Sequence, residues 1–90
     1  MLNEFGKIPK CYRLKIENLK EMIYEKIRCI SVDIIYNVEI RSFVLDIRFI
    51  YIDIGIRLAE EAINEMTLEQ VFNIVLTYIE KEFRKLYLKG

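Results

Sequence analysis

Between residues 14 and 27 the apolar side chains Ile16, Leu19, Ile23 and Ile27 recur at steps of three and four, with Glu17, Asn18, Lys20, Glu21 and Glu25 between them. At about 3.6 residues per turn this spacing gathers the apolar groups into one stripe, so the segment reads as an amphipathic first helix. Beyond Arg28 the period changes to two. Ile30, Val32, Ile34 and Tyr36 alternate with Cys29, Ser31, Asp33, Ile35 and Asn37; then Phe43, Leu45, Ile47, Phe49 and Tyr51 alternate with Val44, Asp46, Arg48, Ile50 and Ile52. Alternation built from β-branched and aromatic residues predicts two strands. Their apolar rows have opposite parity, so a hairpin that keeps both rows on one face needs an even number of loop residues. A four-residue loop over 38–41 meets this condition and sets Tyr36 opposite Phe43 and Ile34 opposite Leu45.

Gly55 ends or bends the second run. After it Leu58, Ala59, Ala62, Ile63 and Met66 fall at helical spacing, which predicts a short helix; a third strand over 54–58 is the rival reading. Thr67-Leu68-Glu69-Gln70 is a capping box, in which the Thr67 hydroxyl and the Gln70 side chain each satisfy a backbone N–H of the other residue. It opens a long last helix whose stripe is Leu68, Val71, Phe72, Val75, Ile79, Phe83 and Leu86. The expected fold is therefore α+β: an N-terminal helix, an antiparallel hairpin or three-stranded sheet, a short helix and a long C-terminal amphipathic helix. An isolated two-stranded sheet is marginal, which argues for a third strand from this chain or from a second copy. The chain reads as one domain, residues 1–90, with residues 1–12 as a loose arm around Gly6 and Pro9.

Composition alters this picture in two ways. Hydrophobic residues make up 53 % of a 90-residue chain, a rich supply for a body that buries only about 60–65 % of its unfolded surface. Either nearly all of it is core, or some forms a face that needs a partner. The 14 basic and 14 acidic residues cancel, which removes the basic surplus of a general nucleic-acid binder. The cancellation hides segregation: Lys7, Lys10, Arg13, Lys15, Lys20, Lys26 and Arg28 dominate the start, and Glu60, Glu61, Glu65 and Glu69 follow Leu58 without a base among them. Isoleucine is the commonest residue, a bias that often reflects AT-rich coding sequence and hints at a low-GC bacterium, its phages or an archaeal virus.

The chemistry-bearing inventory is short. The chain contains no histidine, the usual general acid–base at neutral pH and the usual partner of a nucleophilic Ser or Cys. Its glycines, 6, 55 and 90, cannot form a phosphate-cradling loop. Cys11 and Cys29 are too few for a zinc site and read as free thiols of a reducing cytoplasm. Asp33 and Asp46 fall opposite each other in the hairpin register, with Arg48 two residues along. A divalent-metal site there lacks a third ligand of predictable position, so a cross-strand polar patch is the simpler reading. Asp53 has the opposite parity and is not expected to join them. The expectation is a non-enzymatic protein without cofactor or metal.

Two surfaces remain as candidates. The outward row of the hairpin should be polar if solvated, yet Cys29, Ile35, Val44, Ile50 and Ile52 stand there among Ser31, Asp33, Asp46 and Arg48. One of the chain's own helices or a partner must cover it. Ile35, Val44, Asp46, Arg48 and Ile50, together with the acidic Glu60, Glu61 and Glu65, form the candidate partner-binding set, for a target protein or a second copy. The edge of a strand over 43–54 offers a further docking mode by strand addition. This points to a small inhibitor or adaptor of the kind phage and mobile-element genes encode, acting in the cytoplasm and not on membranes. The alternative is a nucleic-acid-binding accessory protein using Lys7, Lys10, Tyr12, Arg13 and Lys15. An αβββα order with basic residues opening the last helix would suggest a double-stranded-RNA-binding domain. That position here holds Glu60, Glu61, Glu65 and Glu69, so the pattern is not met.

Overall fold

A computed structural model describes residues 8–89. Helix α1 (Lys10–Lys26) leads into three antiparallel strands, β1 (Ser31–Asn37), β2 (Ser42–Arg48) and β3 (Asp53–Ala59), then α2 (Glu60–Glu65) and α3 (Leu68–Lys89). The strands form one sheet in the order β1-β2-β3. The expected α+β class and its helix–sheet–helix–helix order stand, and the third strand comes from this chain.

The first hairpin has the register that parity requires: Tyr36 faces Phe43, Ile34 faces Leu45 and Asp33 faces Asp46. Its turn is held at the entrance by Asn37 Oδ1, which accepts the Glu39 N–H at 3.0 Å. At the exit Arg41 adopts φ 50°, the left-handed region that a non-glycine residue enters at some cost. The carbonyl of Arg41 accepts the Glu60 N–H at 2.9 Å, so the turn is also pinned to the start of α2.

The long apolar run beyond Phe43 is not one strand. The chain reverses at residues 49–52, where Phe49 N–H donates to the Ile52 carbonyl at 2.8 Å, and β3 returns alongside β2. Neither Ile50 nor Tyr51 has a positive φ, so the turn carries none of the Gly, Asn or Asp signals of a primed hairpin turn. Four expectations change with it. Strand β2 is central and has no free edge; Leu58 and Ala59 belong to β3 and not to a helix; Ile50 and Tyr51 stand at the turn, 76 % and 93 % exposed; and Ile52 turns toward the core. Before β1, Cys29 packs partly on the core and Ile30 is exposed, because the strand begins only at Ser31.

All the described helices lie on one face of the sheet. Val32 and Tyr36, Phe43, Leu45 and Ile47, and Ile54, Ile56 and Leu58 are buried in one cluster with Ile16, Leu19 and Ile23 of α1, Ile63 of α2, and Val71, Phe72, Val75 and Ile79 of α3. The stripes read over 16–27 and 68–86 supply the buried residues of α1 and α3, with Ile27, Leu68 and Phe83 packed at the margin and Leu86 exposed. The Thr67 box forms as expected: Gln70 N–H donates to Thr67 Oγ1 at 3.2 Å, and Thr67 N–H to Gln70 Oε1 at 2.9 Å.

Helix α1 begins at Lys10, directly after Pro9, rather than at residue 14. Its first turns extend the stripe only through Tyr12, four residues before Ile16, and are held by contacts distant in sequence. The Tyr12 ring meets Phe43 edge-on at 5.4 Å. Lys15 Nζ donates to the carbonyls of Ile63 and Met66, placing a cation at the C-terminal end of α2 where the helix dipole favours it. Residues 10–12 are thus helix and not arm, and residues 1–7 lie outside the described part.

Candidate functional site

The second face of the sheet carries the residues that alternate with the core rows. Read across the three strands, its rows are Ser31, Arg48 and Asp53; Asp33, Asp46 and Gly55; Ile35, Val44 and Arg57; and Asn37, Ser42 and Ala59. Among the described residues no helix covers these rows, and most of the side chains are exposed. Ile35 is 42 % exposed beside the half-buried Val44, leaving an apolar pair in the middle of a charged surface.

The chemistry of the face is mixed and slightly acidic. Arg48 Nε lies 3.5 Å from Asp53 Oδ1. Asp53 joins the face because the chain reverses before it, which overturns the parity argument that set it apart. The pair is more than half exposed on both sides, so it is worth little in water. Asp33 and Asp46 stand directly opposite each other, and neither forms an ion pair among the described residues. Like charges so placed repel. No group of three or more potential metal ligands occurs among the described residues, and the two carboxylates are therefore a local negative charge open to a cation from outside.

Gly55 sits beside Asp46 in the same row. Its φ is not positive, and a Cβ added there would meet nothing within 4 Å. Neither the backbone conformation nor the packing of this chain requires a glycine. Glycine in a strand interior weakens it and commonly marks a place where something else approaches closely. With the side chain missing, the centre of β3 is a shallow floor of bare backbone flanked by Asp46 and Arg57.

At the end of the face nearest the first turn, Ser42 and Ala59 also line a cleft of about 340 Å3 together with Tyr12, Ile40, Arg41, Glu60, Glu61 and Asn64. Glu60 occupies its inner wall. Oε1 accepts the Tyr36 hydroxyl at 2.6 Å and Oε2 the Tyr12 hydroxyl at 2.8 Å. These two hydrogen bonds, Tyr36 first, hold the Glu60 carboxyl below its ordinary pKa, with Arg41 assisting. The same carboxylate raises both phenols, Tyr12 to about 12. Glu60 is thus a tie between α1, β1 and α2 rather than a free docking group. Glu61 and Glu65 are exposed, as is Glu69 at the start of α3.

The structure brings Ile35, Val44, Asp46 and Arg48 together on the open face, and Glu61 to the cleft at its end. It does not bring Ile50 there; that residue lies at the opposite end, in a cleft of about 490 Å3 with Tyr24, Arg28 and Ile30. Of the nucleic-acid set, Lys10 and Arg13 are exposed, Tyr12 and Lys15 are engaged with α2, and Lys7 lies outside the described residues. The face residues Asp53, Gly55 and Arg57 were missed. Their signal was in the chain: they alternate with Ile54, Ile56 and Leu58 as regularly as any strand here.

Among the described residues no helix is long and apolar enough to cross a membrane. No family model matches the chain, and neither characterised proteins nor solved structures show significant similarity to it.

Proposed function

We propose that this chain is a non-enzymatic interaction module of the cytoplasm, an inhibitor or adaptor that seats a partner protein on the open face of its sheet. The observation that carries the reading is the asymmetry of that sheet. One face is packed under three helices, and the other leaves Ile35 exposed and Val44 half-buried beside an opposed pair of aspartates that forms no ion pair among the described residues. An antiparallel sheet tolerates one wet face, but that face is then ordinarily polar. The partner surface that fits is basic and apolar: a Lys or Arg opposite Asp33 and Asp46, an aliphatic or aromatic group on Ile35 and Val44, and main chain or a flat ring over Gly55. Charge complementarity of this kind sets specificity and association rate more than affinity.

The test uses Gly55→Tyr. Because nothing lies within 4 Å of the position and tyrosine favours strands, the variant should keep the wild-type circular dichroism and melting temperature. Its ring would stand over the docking floor. Capture from a lysate of the source cells with immobilised wild type and with Gly55→Tyr should return a protein retained by the first and lost from the second. Equal retention by both would remove the open face from the function.

A further inference from the structure

We infer that two copies of this chain pair through the outer edges of β3, in an antiparallel register centred on Gly55, to form a continuous six-stranded sheet. This inference concerns the edge of the sheet and stands apart from what docks on its face.

Which backbone groups face outward follows from one hydrogen bond. The Val32 N–H donates to Tyr24 Oη at 2.9 Å and so points away from β2. Val32 and Ile47 are therefore a non-hydrogen-bonded pair, and in an antiparallel ladder the two kinds of pair alternate. It follows that Phe43, Leu45 and Ile47 direct their N–H and C=O groups toward β3, where they meet Leu58, Ile56 and Ile54. The Phe49 to Ile52 hydrogen bond has the same parity. The alternate residues Asp53, Gly55 and Arg57 must then present their backbone groups outward.

The two edges of the sheet are treated differently. On β1, Tyr24 occupies the Val32 donor, while no hydrogen bond among the described residues reaches the outward groups of Ile34 and Tyr36 beyond the sheet. On β3, no hydrogen bond among the described residues reaches the outward groups of Asp53, Gly55 or Arg57 beyond the sheet. The seven-residue strand has no proline, no lysine and an unbroken register, and the two charges it carries, Asp53 and Arg57, are of opposite sign.

Charge then selects the occupant. In an antiparallel self-pairing centred on residue 55, position i meets position 110 − i. Asp53 meets Arg57 of the second copy, Gly55 meets Gly55, and Arg57 meets Asp53, all on the open face. On the core face Ile54 meets Ile56 and Ile56 meets Ile54. Centring on 53 or 57 sets two aspartates or two arginines against each other, and centring on 54 or 56 leaves both charges without a partner. Only the Gly55 register is self-complementary, the property an isologous two-fold interface requires. Asp53 would then lie between Arg48 of its own chain and Arg57 of the other, and two open faces would merge into one of twice the width.

The experiment is sedimentation equilibrium at low salt with wild type, Arg57→Asp and the swapped double variant Asp53→Arg/Arg57→Asp, each checked by circular dichroism. Wild type should be a dimer at micromolar concentration. Arg57→Asp turns two attractive cross-strand pairs into two repulsive ones and should weaken dimerisation about ten-fold or more. The swapped variant should recover it. Amide exchange should show Gly55 and Arg57 protected in concentrated wild type and exposed on dilution. A wild-type monomer at all concentrations, a dimer indifferent to Arg57→Asp, or a swap that fails to restore the dimer would each overturn the inference. Ile35→Lys, on the strand away from β3, should abolish capture of the face partner and leave the dimer intact, which separates the two surfaces.

Discussion

Glu60 shows how one side chain ties distant parts of this chain, and its ionisation makes the tie depend on pH. Its folded pKa is depressed below the ordinary 4.5 by the hydroxyls of Tyr36 and Tyr12. A depressed carboxylate contributes stability that is present above its unfolded pKa and lost as the pH falls through the folded value. Tyr12 and Tyr36 are raised from 10, Tyr12 to about 12, so their contribution is present below pH 10 and is lost as the pH climbs toward 12. The melting temperature should therefore fall below about pH 4.5 and again above about pH 10. In Glu60→Gln both limbs should weaken, and the ultraviolet absorbance of the Tyr12 phenolate should appear closer to pH 10. A Tyr12 titration unmoved by Glu60→Gln would show that the phenol is raised by something else. None of this was readable in the chain. Tyr12 and Glu60 are 48 positions apart, Tyr12 read as part of a basic arm, and Glu60 read as part of an acidic docking set.

At the scale of elements, local signals were sound where the local physics decides and failed where distant contacts do. The Thr67 box is local: its hydroxyl and the Gln70 amide close on each other's backbone at the start of α3. Thr67→Ala should cost about 0.5–2 kcal/mol, seen as a lowered midpoint in urea with an unchanged slope. The first hairpin was equally legible, because parity and alternation left few registers and one of them formed. The second hairpin was not. The alternation from Phe43 to Ile52 crosses the turn without interruption, and Ile50 and Tyr51 carry no turn chemistry. What reverses the chain there is tertiary: Phe49 is buried against Phe83 of α3, with ring centroids 4.9 Å apart, and Ile54, Ile56 and Leu58 must reach the core that β2 lines. Phe83→Ala should loosen that end first, raising exchange of the Phe49 amide, which donates to the Ile52 carbonyl, before the rest of the sheet. The start of α1 was hard to read for the same reason, since the contacts that hold Tyr12 and Lys15 come from β2 and α2.

For the whole molecule, the sequence left open whether the outward row of the hairpin is covered by one of the chain's own helices. Among the described residues it is not, because α1, α2 and α3 share the other face. The face is also wider than the hairpin alone, since β3 adds Asp53, Gly55 and Arg57 to Ile35, Val44, Asp46 and Arg48. An exposed isoleucine beside a half-buried valine, two opposed aspartates and a glycine without a structural reason coincide on it. That coincidence is the central claim of a docking surface. Its most direct measurement is position-resolved photo-crosslinking in the source cells, with a photo-activatable amino acid placed in turn at Ile35, at Val44, and at Glu80 on the exposed side of α3. The account predicts one discrete adduct from positions 35 and 44, abolished when Gly55→Tyr is added, and none from position 80. Adducts from position 80 with none from positions 35 and 44 would contradict it.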